Sequence, residues 1–321
     1  MNHCFEITKQ LQSKSELESF LRSLEVTVYD SNNSQNEDGV NFDFTNTLIS
    51  NDFSTYIVER GDGGIKGLSK INYCQFDTDI FGLRMGRISY LLSNNPNPVE
   101  MISAVCEYLR KEQFKFVDVS LDSMKGYWVP AFENSGFKFT GTNVTLLLSL
   151  GDLSNSHSTP PSIRELKSTD IPYLGDLSAE SFSSPVRNLN RFILDGNFPL
   201  SKIGDLYKNW FLNCASGERA QKVFTAEMDN RPVGFIACNI VYDKTSNIKT
   251  GDVPLNAVST DYTRKGLYRA LVHKAMDWFV SEGCDFAENK TQVSTFAPQR
   301  VWLQMGGAPI KYEFNFHKWL S

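Results

Sequence analysis

Leu255-Asn-Ala-Val-Ser-Thr-Asp-Tyr-Thr-Arg-Lys-Gly-Leu-Tyr-Arg-Ala-Leu-Val272 decides how this chain is read. An apolar run ends at Ser259. A short basic turn with one glycine follows, and from Leu267 to Val280 the apolar residues Leu267, Leu271, Ala275 and Trp278 recur at helical spacing. Where such a strand, turn and helix meet, the first N–H groups of the helix lack intrahelical partners, and the helix dipole adds partial positive charge. A pyrophosphate fits that junction. Arg264, Lys265 and Arg269 can add charge-assisted contacts, and Gly266 lets the backbone approach closely. Taken alone, a solvated helix start is the plainer reading of the same residues. The chain contains neither G-x-x-x-x-G-K-[ST] nor G-x-G-x-x-G, so neither a P-loop nor a Rossmann dinucleotide site is expected.

Working outward, Phe286 to Val293 reads as a strand and Pro298 to Met305 as a helix ended by Gly306-Gly307. Phe314 to Leu320 reads as a last strand. Upstream, Asp170 to Phe182 and Leu206 to Ala215 read as helices. Lys222 to Met228 and Val233 to Asn239 form a hairpin around Asp229-Asn-Arg-Pro232. The first half shows strands at Ile88 to Leu92, Phe116 to Ser120 and Val144 to Leu150, with helices at Val99 to Lys111 and Trp128 to Asn134, the latter ended by Gly136. Both halves finish helix, strand, short helix, glycine, strand. That order predicts an α/β (α+β) chain with two copies of one fold, each a mixed central sheet flanked by helices. The polar, proline-ended stretch Gly151 to Pro161 divides the copies into residues 1–150 and 162–321. Asp30 to Asn41 reads as a long loop. In the first half Asn94-Asn-Pro-Asn-Pro98 replaces the basic glycine turn, and its prolines remove N–H donors, so that copy is expected to be degenerate.

At 321 residues, with 41% hydrophobic content, two packed cores are expected. The formal charge of -5 supplies no basic field for nucleic acid or anionic lipid. No apolar stretch reaches membrane-spanning length, and Met1 to Leu11 lacks a signal-peptide core, so a cytoplasmic chain is expected. The six cysteines and four histidines are scattered without ligand spacing, so neither disulfides nor a metal are expected. Oligomeric state is left open, a homodimer included.

Val258-Ser-Thr-Asp-Tyr-Thr-Arg-Lys-Gly-Leu-Tyr-Arg-Ala-Leu271 resembles the acyl-CoA pyrophosphate loop of the GNAT acetyltransferases, Arg/Gln-x-x-Gly-x-Gly/Ala. Gly266 keeps the central glycine, while Thr263 and Tyr268 depart from the pattern; the loop works mainly through backbone N–H groups, provided Tyr268 points outward. Further pieces are similar to the dTDP-fucosamine (dTDP-4-amino-4,6-dideoxygalactose) acetyltransferases and the related dTDP-3-amino-3,6-dideoxyhexose N-acyltransferases. They are Phe76-Asp-Thr-Asp-Ile-Phe-Gly82, Phe132-Glu-Asn-Ser-Gly-Phe137, Arg191-Phe192, Tyr207-Lys-Asn-Trp210, Thr291-Gln292 and Gln304 to Gly306. The resemblance implies tandem GNAT folds and an N-acyltransferase moving acetyl or a short hydroxyacyl group, such as 3-hydroxybutyryl, from acyl-CoA to a nucleotide-linked amino sugar. Such enzymes serve surface polysaccharide synthesis. Another amine acceptor, or a non-catalytic acyl-CoA-binding protein, stays open.

By the same resemblance Val258, Arg264, Lys265, Gly266, Leu267, Tyr268, Arg269 and Thr295 are expected at the coenzyme. A backbone N–H at Val258 or Ser259 is expected to meet the developing oxyanion. Trp302 stands where such enzymes carry a proton-donating tyrosine, leaving Tyr312 and His317 as substitutes, each also readable as structural. Asn256 stands on the strand that often carries a glutamate base; it can orient a water or hydroxyl but takes no proton. A sugar amine titrates near ~8, below lysine, so alignment can replace a strong base. The acceptor is expected between the domains, with Arg187 and Arg191 on its diphosphate, Phe192 and Phe198 against ring or base, and Tyr207 on a hydroxyl. Core packing is an equal reading of those aromatics. Phe76, Asp79 and Phe81 are readable either as facing that cleft or as turn packing.

Overall fold

The structure, a computed structural model, describes residues 4–8, 14–24, 54–61, 64–151, 163–186, 188–243 and 247–321. The loop read at Asp30 to Asn41, most of the stretch read as a linker, and Arg187 lie outside them. Among the described residues no helix is long and apolar enough to cross a membrane.

The chain forms two compact units, Met1–Thr140 with Glu313–Ser321, and Gly141–Tyr312. The first holds β1 (Cys4–Thr8), α1 (Lys14–Ser23), β2 (Thr55–Gly61), β3 (Gly64–Tyr73), α2 (Gln75–Phe81), β4 (Met85–Ser93), α3 (Val99–Lys111), β5 (Phe116–Asp122) and α4 (Val129–Asn134). Next comes β6 (Lys138–Ser149), most of which belongs to the second unit. That unit continues with β7 (Ile163–Glu165), α5 (Ile171–Ser183), α6 (Arg191–Asp195), α7 (Leu200–Ala215), β8 (Lys222–Met228), β9 (Arg231–Asp243), β10 (Ile248–Val258), α8 (Leu267–Ser281), β11 (Phe286–Gln292) and α9 (Phe296–Gln304). The last strand is β12 (Ala308–Trp319).

This partition differs from the division at residues 150 and 162. β6 pairs antiparallel with β11, Ser149 opposite Phe286, so its ladder lies in the second unit. The end of β12 pairs antiparallel with β5, Glu313 opposite Asp122, so the chain terminus lies in the first. Each strand goes where its backbone groups find a ladder, which composition alone does not reveal.

In the first unit β1 to β4 pair antiparallel in order, and β4 joins β5 in parallel. Helix α3 makes that crossover and buries Ile102, Val105, Cys106 and Leu109, the stripe its sequence spacing predicts. The hairpin of β2 and β3 has no alternation to read: Thr55 to Glu59 and Gly67 to Ile71 are buried on both faces. In the second unit β7 to β10 pair antiparallel in order, and β10 joins β11 in parallel through α8. Each unit is therefore a mixed sheet with helices against it. At the β8–β9 turn, Asp229 (φ 50°) and Asn230 (φ 59°) are both left-handed, as a two-residue hairpin requires. Pro232 lies in β9 rather than in the turn.

The crossovers correspond residue by residue. Gly86 and Arg87 face Val117 and Asp118 across β4–β5; Gly251 and Asp252 face Ala287 and Glu288 across β10–β11. Each glycine lets an aromatic ring approach the sheet. A Cβ on Gly86 would stand 3.1 Å from the Phe114 ring, and one on Gly251 would overlap the fully buried ring of Phe279 on α8. Gly251→Ala is expected to lose about 2–3 kcal/mol in urea unfolding, because the ring has no room to retreat.

Candidate functional site

Strands β10 and β11 pair only at Thr250–Phe286, Gly251–Ala287 and Asp252–Glu288. Beyond Asp252 the β9–β10 register shifts before resuming at Leu255. There Val253-Pro254 forms a bulge, which bends a strand and increases its twist. The parallel pair opens at that point. A cavity of about 510 Å³ occupies the splay, lined along β10 from Val253 to Val258 and along β11 from Asn289 to Gln292.

The splay exposes main-chain donors. Ser259 N–H donates to Val233 O at 2.8 Å, so it is spent on β9. The expectation of Ser259 as an oxyanion donor is thereby corrected. Antiparallel ladders alternate, and the pairs Asn256–Ile236 and Val258–Gly234 fall between the hydrogen-bonded ones. Asn256 and Val258 therefore turn their N–H groups away from β9, into the splay.

At the open end, Thr260–Tyr262 forms a 3₁₀ turn and Gly266 caps α8 at φ 76° with no side chain closing the helix start. Ala270 N–H bonds Gly266 O, so the donors before it belong to the unpaired first turn. Arg264, also left-handed at φ 63°, lines the cavity with Gly266, Leu267, Tyr268 and Arg269. Arg269 bonds the Gln304 side chain. Lys265 Nζ lies 4.7 Å over the Tyr262 ring and is not in the lining. Thr295 lines the cavity and caps α9, its N–H on Gln292 O at 2.9 Å. Tyr268 does not point outward: its hydroxyl is buried without a hydrogen bond. The equally unpaired Nε1 of Trp302, a residue 0% exposed, is close enough to oppose the rise that burial gives the Tyr268 phenol's pKa. Removing that orphan group in Tyr268→Phe is expected to raise Tm by 2–4 °C and leave coenzyme affinity within about twofold.

Among the described residues, the corresponding turn of the first unit offers no such cradle. Asn94 N–H donates to Lys66 O, Asn95 N–H to Ser93 Oγ, Asn97 N–H to Asn95 Oδ1 and Val99 N–H to Asn97 Oδ1. Pro96 and Pro98 have no N–H to offer.

Sequence reasoning missed a pair of carboxylates. Where the first unit sets Arg87 against Asp118, with both bonds at 2.8 Å, the second sets Asp252 against Glu288. Burial raises Asp252 to about 6. Burial, then the neighbouring Asp252 charge, raises Glu288 to about 7. Lys290 lowers both and lines the cavity. The pair sits one residue below the lining, next to Val253 and Asn289. Asp252 faces Asn239 and shares the face of Phe235, which packs on Phe211 of α7 at 4.5 Å. The signal was present as isolated acids in Gly251-Asp-Val-Pro-Leu255 and Phe286-Ala-Glu-Asn289.

On that face Phe182, Tyr207 and Trp210 stack, with ring centroids 4.2 and 5.8 Å apart and planes within about 11°. All three line the cavity, and so does Asn188, whose buried Oδ1 has no partner. Tyr207 is thus part of the cavity lining, all of which belongs to the second unit. Phe192 and Phe198 are not: they pack edge to face at 5.1 Å, 3% and 5% exposed. Arg191 lies 4.4 Å over the Phe192 ring, outside the lining. His317 is buried in the first unit against Phe116 at 4.8 Å, and fully buried Trp302 does not line the cavity; neither presents a group there. Tyr312 is exposed and also outside the lining. Asn256 lines it. Phe76 and Phe81, with Asp79 between them, lie on α2 of the first unit. Asp79 accepts from Gln75 Nε2.

Residues 187–306 match the Acetyltransferase (GNAT) family. No curated protein matches the chain in sequence. Solved structures match along its whole length. The GCN5-related N-acetyltransferase from Sphaerobacter thermophilus has a TM-score of 0.63 at 10% identity, over 98% of this chain and 96% of that one. The tandem GNAT protein from the clavulanic acid biosynthesis pathway has 0.59 at 9% identity, over 99% of both chains. The fold is the tandem GNAT fold. A GCN5-related glucosamine N-acetyltransferase region of a fungal multi-domain GH3 β-N-acetylglucosaminidase matches at 0.64 and 11% identity, over 99% of this chain and 38% of that one. In this GNAT fold the matched stretch holds the turn at Gly266, both splayed strands, and Tyr207 and Trp210 of the aromatic stack.

Proposed function

We propose that this chain transfers a short acyl group from acyl-CoA to the amine of a dTDP-linked amino-dideoxyhexose, in surface polysaccharide synthesis. The observation that carries the coenzyme half is the splay between β10 and β11, continuous with the uncapped start of α8. Its donors fit acyl-CoA: N–H groups of the first turn and Arg264 suit a diphosphate, and Asn256 and Val258 N–H suit the amides of a pantetheine arm. When bound, acyl-CoA supplies an activated thioester carbonyl.

The protein's own groups do the rest. Asn256 or Val258 N–H offers a fixed donor where negative charge develops on that carbonyl oxygen. The Phe182–Tyr207–Trp210 stack offers a flat apolar wall to a sugar ring or base, and Asn188 Oδ1 offers an acceptor to a hydroxyl or ammonium. The Asp252–Glu288 pair, poised near neutrality one residue below the lining, receives through one water the proton the amine sheds as the C–N bond forms, and the C–S bond breaks with CoA leaving as its thiolate, whose thiol has an ordinary pKa of about 8.5. The sequence resemblance to dTDP-amino-sugar acyltransferases, and the shared fold of a glucosamine N-acetyltransferase region, support the amino sugar.

The test is a panel of dTDP-amino-sugars, free amino sugars, aminoglycosides and peptide amines, crossed with acetyl-CoA and hydroxyacyl-CoA and read by mass shift. Acylation of a dTDP-amino-sugar with the highest kcat/KM is expected. Preference for an aminoglycoside or peptide amine would replace the acceptor. Coenzyme binding without turnover on any amine would make the chain a binding protein.

A further inference from the structure

Asp252 and Glu288 face each other across β10–β11 but do not line the cavity. Side chains alternate along a strand, so Lys290 and Gln292 follow Glu288 on its face of β11, opposite Thr145 and Asn143 of β6. Both line the cavity. Lys290 is the first lining residue beyond Glu288 on that face, about 7 Å of strand away, so the way from the pair to the cavity runs past it. Among the described residues the lining holds no carboxylate, and its other cations, Arg264 and Arg269, stand at the head of α8. The first unit shows the other arrangement. There Arg87 stands directly opposite Asp118 and clamps both carboxylate oxygens, while Ser120, two residues on, bonds Asn315. In the second unit the cation sits instead at the position nearer the cavity. An arginine clamp takes up a carboxylate's oxygens; a cation one side-chain step away keeps negative charge on the pair and leaves its oxygens open to a proton.

The other groups around the pair do not supply that charge. Cys214 of α7 and Cys238 of β9 lie near Asp252, but burial keeps both as thiols, pushing Cys214 up to about 12. Helix α7 also turns Tyr207 to the cavity, and α5 packs Leu174, Leu177 and Ser178 inward while Asp176 and Glu180 stay exposed. On β6 the residues opposite Glu288 and Lys290 are Leu147 and Thr145. Lys311 of β12 acts on Glu288 alone, and more weakly than Lys290, which acts on both carboxylates.

We propose that Lys290 is a positioning residue for the acyl transfer, its cation holding negative charge on the Asp252–Glu288 pair so that the pair can take the proton of the acceptor amine. The inference rests on that pair being the proton acceptor. The proton leaves the amine nitrogen through one water and ends on a carboxylate oxygen, while Lys290 keeps its own protons. Carbon-13 carboxyl titration of the full chain, labelled at Asp and Glu and assigned with Asp252→Asn and Glu288→Gln, reads the pair directly and needs no acceptor. Lys290→Met is expected to move the pair's titration upward by about 0.5–1 pH unit, and Lys290→Arg to leave it within about 0.2 unit. The acid limb of kcat/KM for acetyl-CoA and dTDP-4-amino-4,6-dideoxygalactose should move by the same amount in the same direction. A titration that Lys290→Met leaves unmoved overturns the proposal, as does a shift that Lys311→Met reproduces in full. An unmoved limb with a raised KM for the sugar nucleotide overturns it in favour of a phosphate contact. A wild-type rate with no limb between about pH 5 and about pH 8, beside a titration that Lys290→Met does move, overturns the pair as proton acceptor and leaves the charge coupling standing.

Discussion

Gly266→Pro is expected to weaken CoA binding at least about 100-fold while the far-UV circular dichroism spectrum stays that of the wild type. Proline holds φ near −65°, whereas Gly266 sits at +76° at the head of α8. The substitution turns the whole donor row away from the diphosphate and deletes an N–H from it. Gly266→Ala separates this from simple crowding. Nothing lies within 4 Å of a Cβ at Gly266, so alanine meets only the left-handed backbone penalty of about 1 kcal/mol. It should cost roughly fivefold in Kd. A folded proline variant that bound CoA as tightly as the wild type would move the diphosphate to another part of the molecule.

Asp252→Asn and Glu288→Gln are each expected to lower kcat/KM by about 10²–10³, the range of a lost acid–base group. Wild-type kcat/KM should rise with pH through an apparent pKa between about 6 and 7, which belongs to the pair rather than to either residue. Asp252→Asn removes the like charge that raises Glu288, so the remaining limb should move to lower pH. A merely structural pair would leave the profile in place. Stability gives a second readout. Both folded-state values lie above the ordinary 3.8 and 4.5, so the unfolded chain releases these protons first as pH rises. This contribution to stability therefore declines from about pH 4 to about pH 7 and is flat above. At pH 8 Glu288→Gln should accordingly be more stable than wild type by about 2 kcal/mol, with no gain at pH 4. A destabilised Glu288→Gln at pH 8 would count against two facing carboxylates.

The legible elements were those whose local signal agrees with their packing. Helix α3 shows its stripe at Ile102, Val105, Cys106 and Leu109 because one face is buried and one is wet. The β4-α3-β5 and β10-α8-β11 crossovers show in their order of periods, and the α8 start shows in its glycine and basic residues. The β2–β3 hairpin did not show, since strands buried on both faces lose alternation. The aromatics were ambiguous for a related reason: burial and ligand contact select the same side chains. Tyr207 lines the cavity while Phe192 and Phe198 fill the core, and nothing in their residue types separates them.

Residue types along the chain were enough for the repeated α/β order, the basic glycine turn at Gly266 and its closed counterpart at Asn94 to Pro98. Those depend on contacts between residues a few positions apart, where backbone geometry and missing N–H groups are fixed by residue type. Long-range packing was needed to assign β6 to the second unit and the terminus to the first. It alone set Asp252 against Glu288, turned Tyr268 inward and put Lys290 between that pair and the cavity. Each of these depends on which distant segment completes a ladder or closes over a side chain, and that choice belongs to the packing of the whole chain.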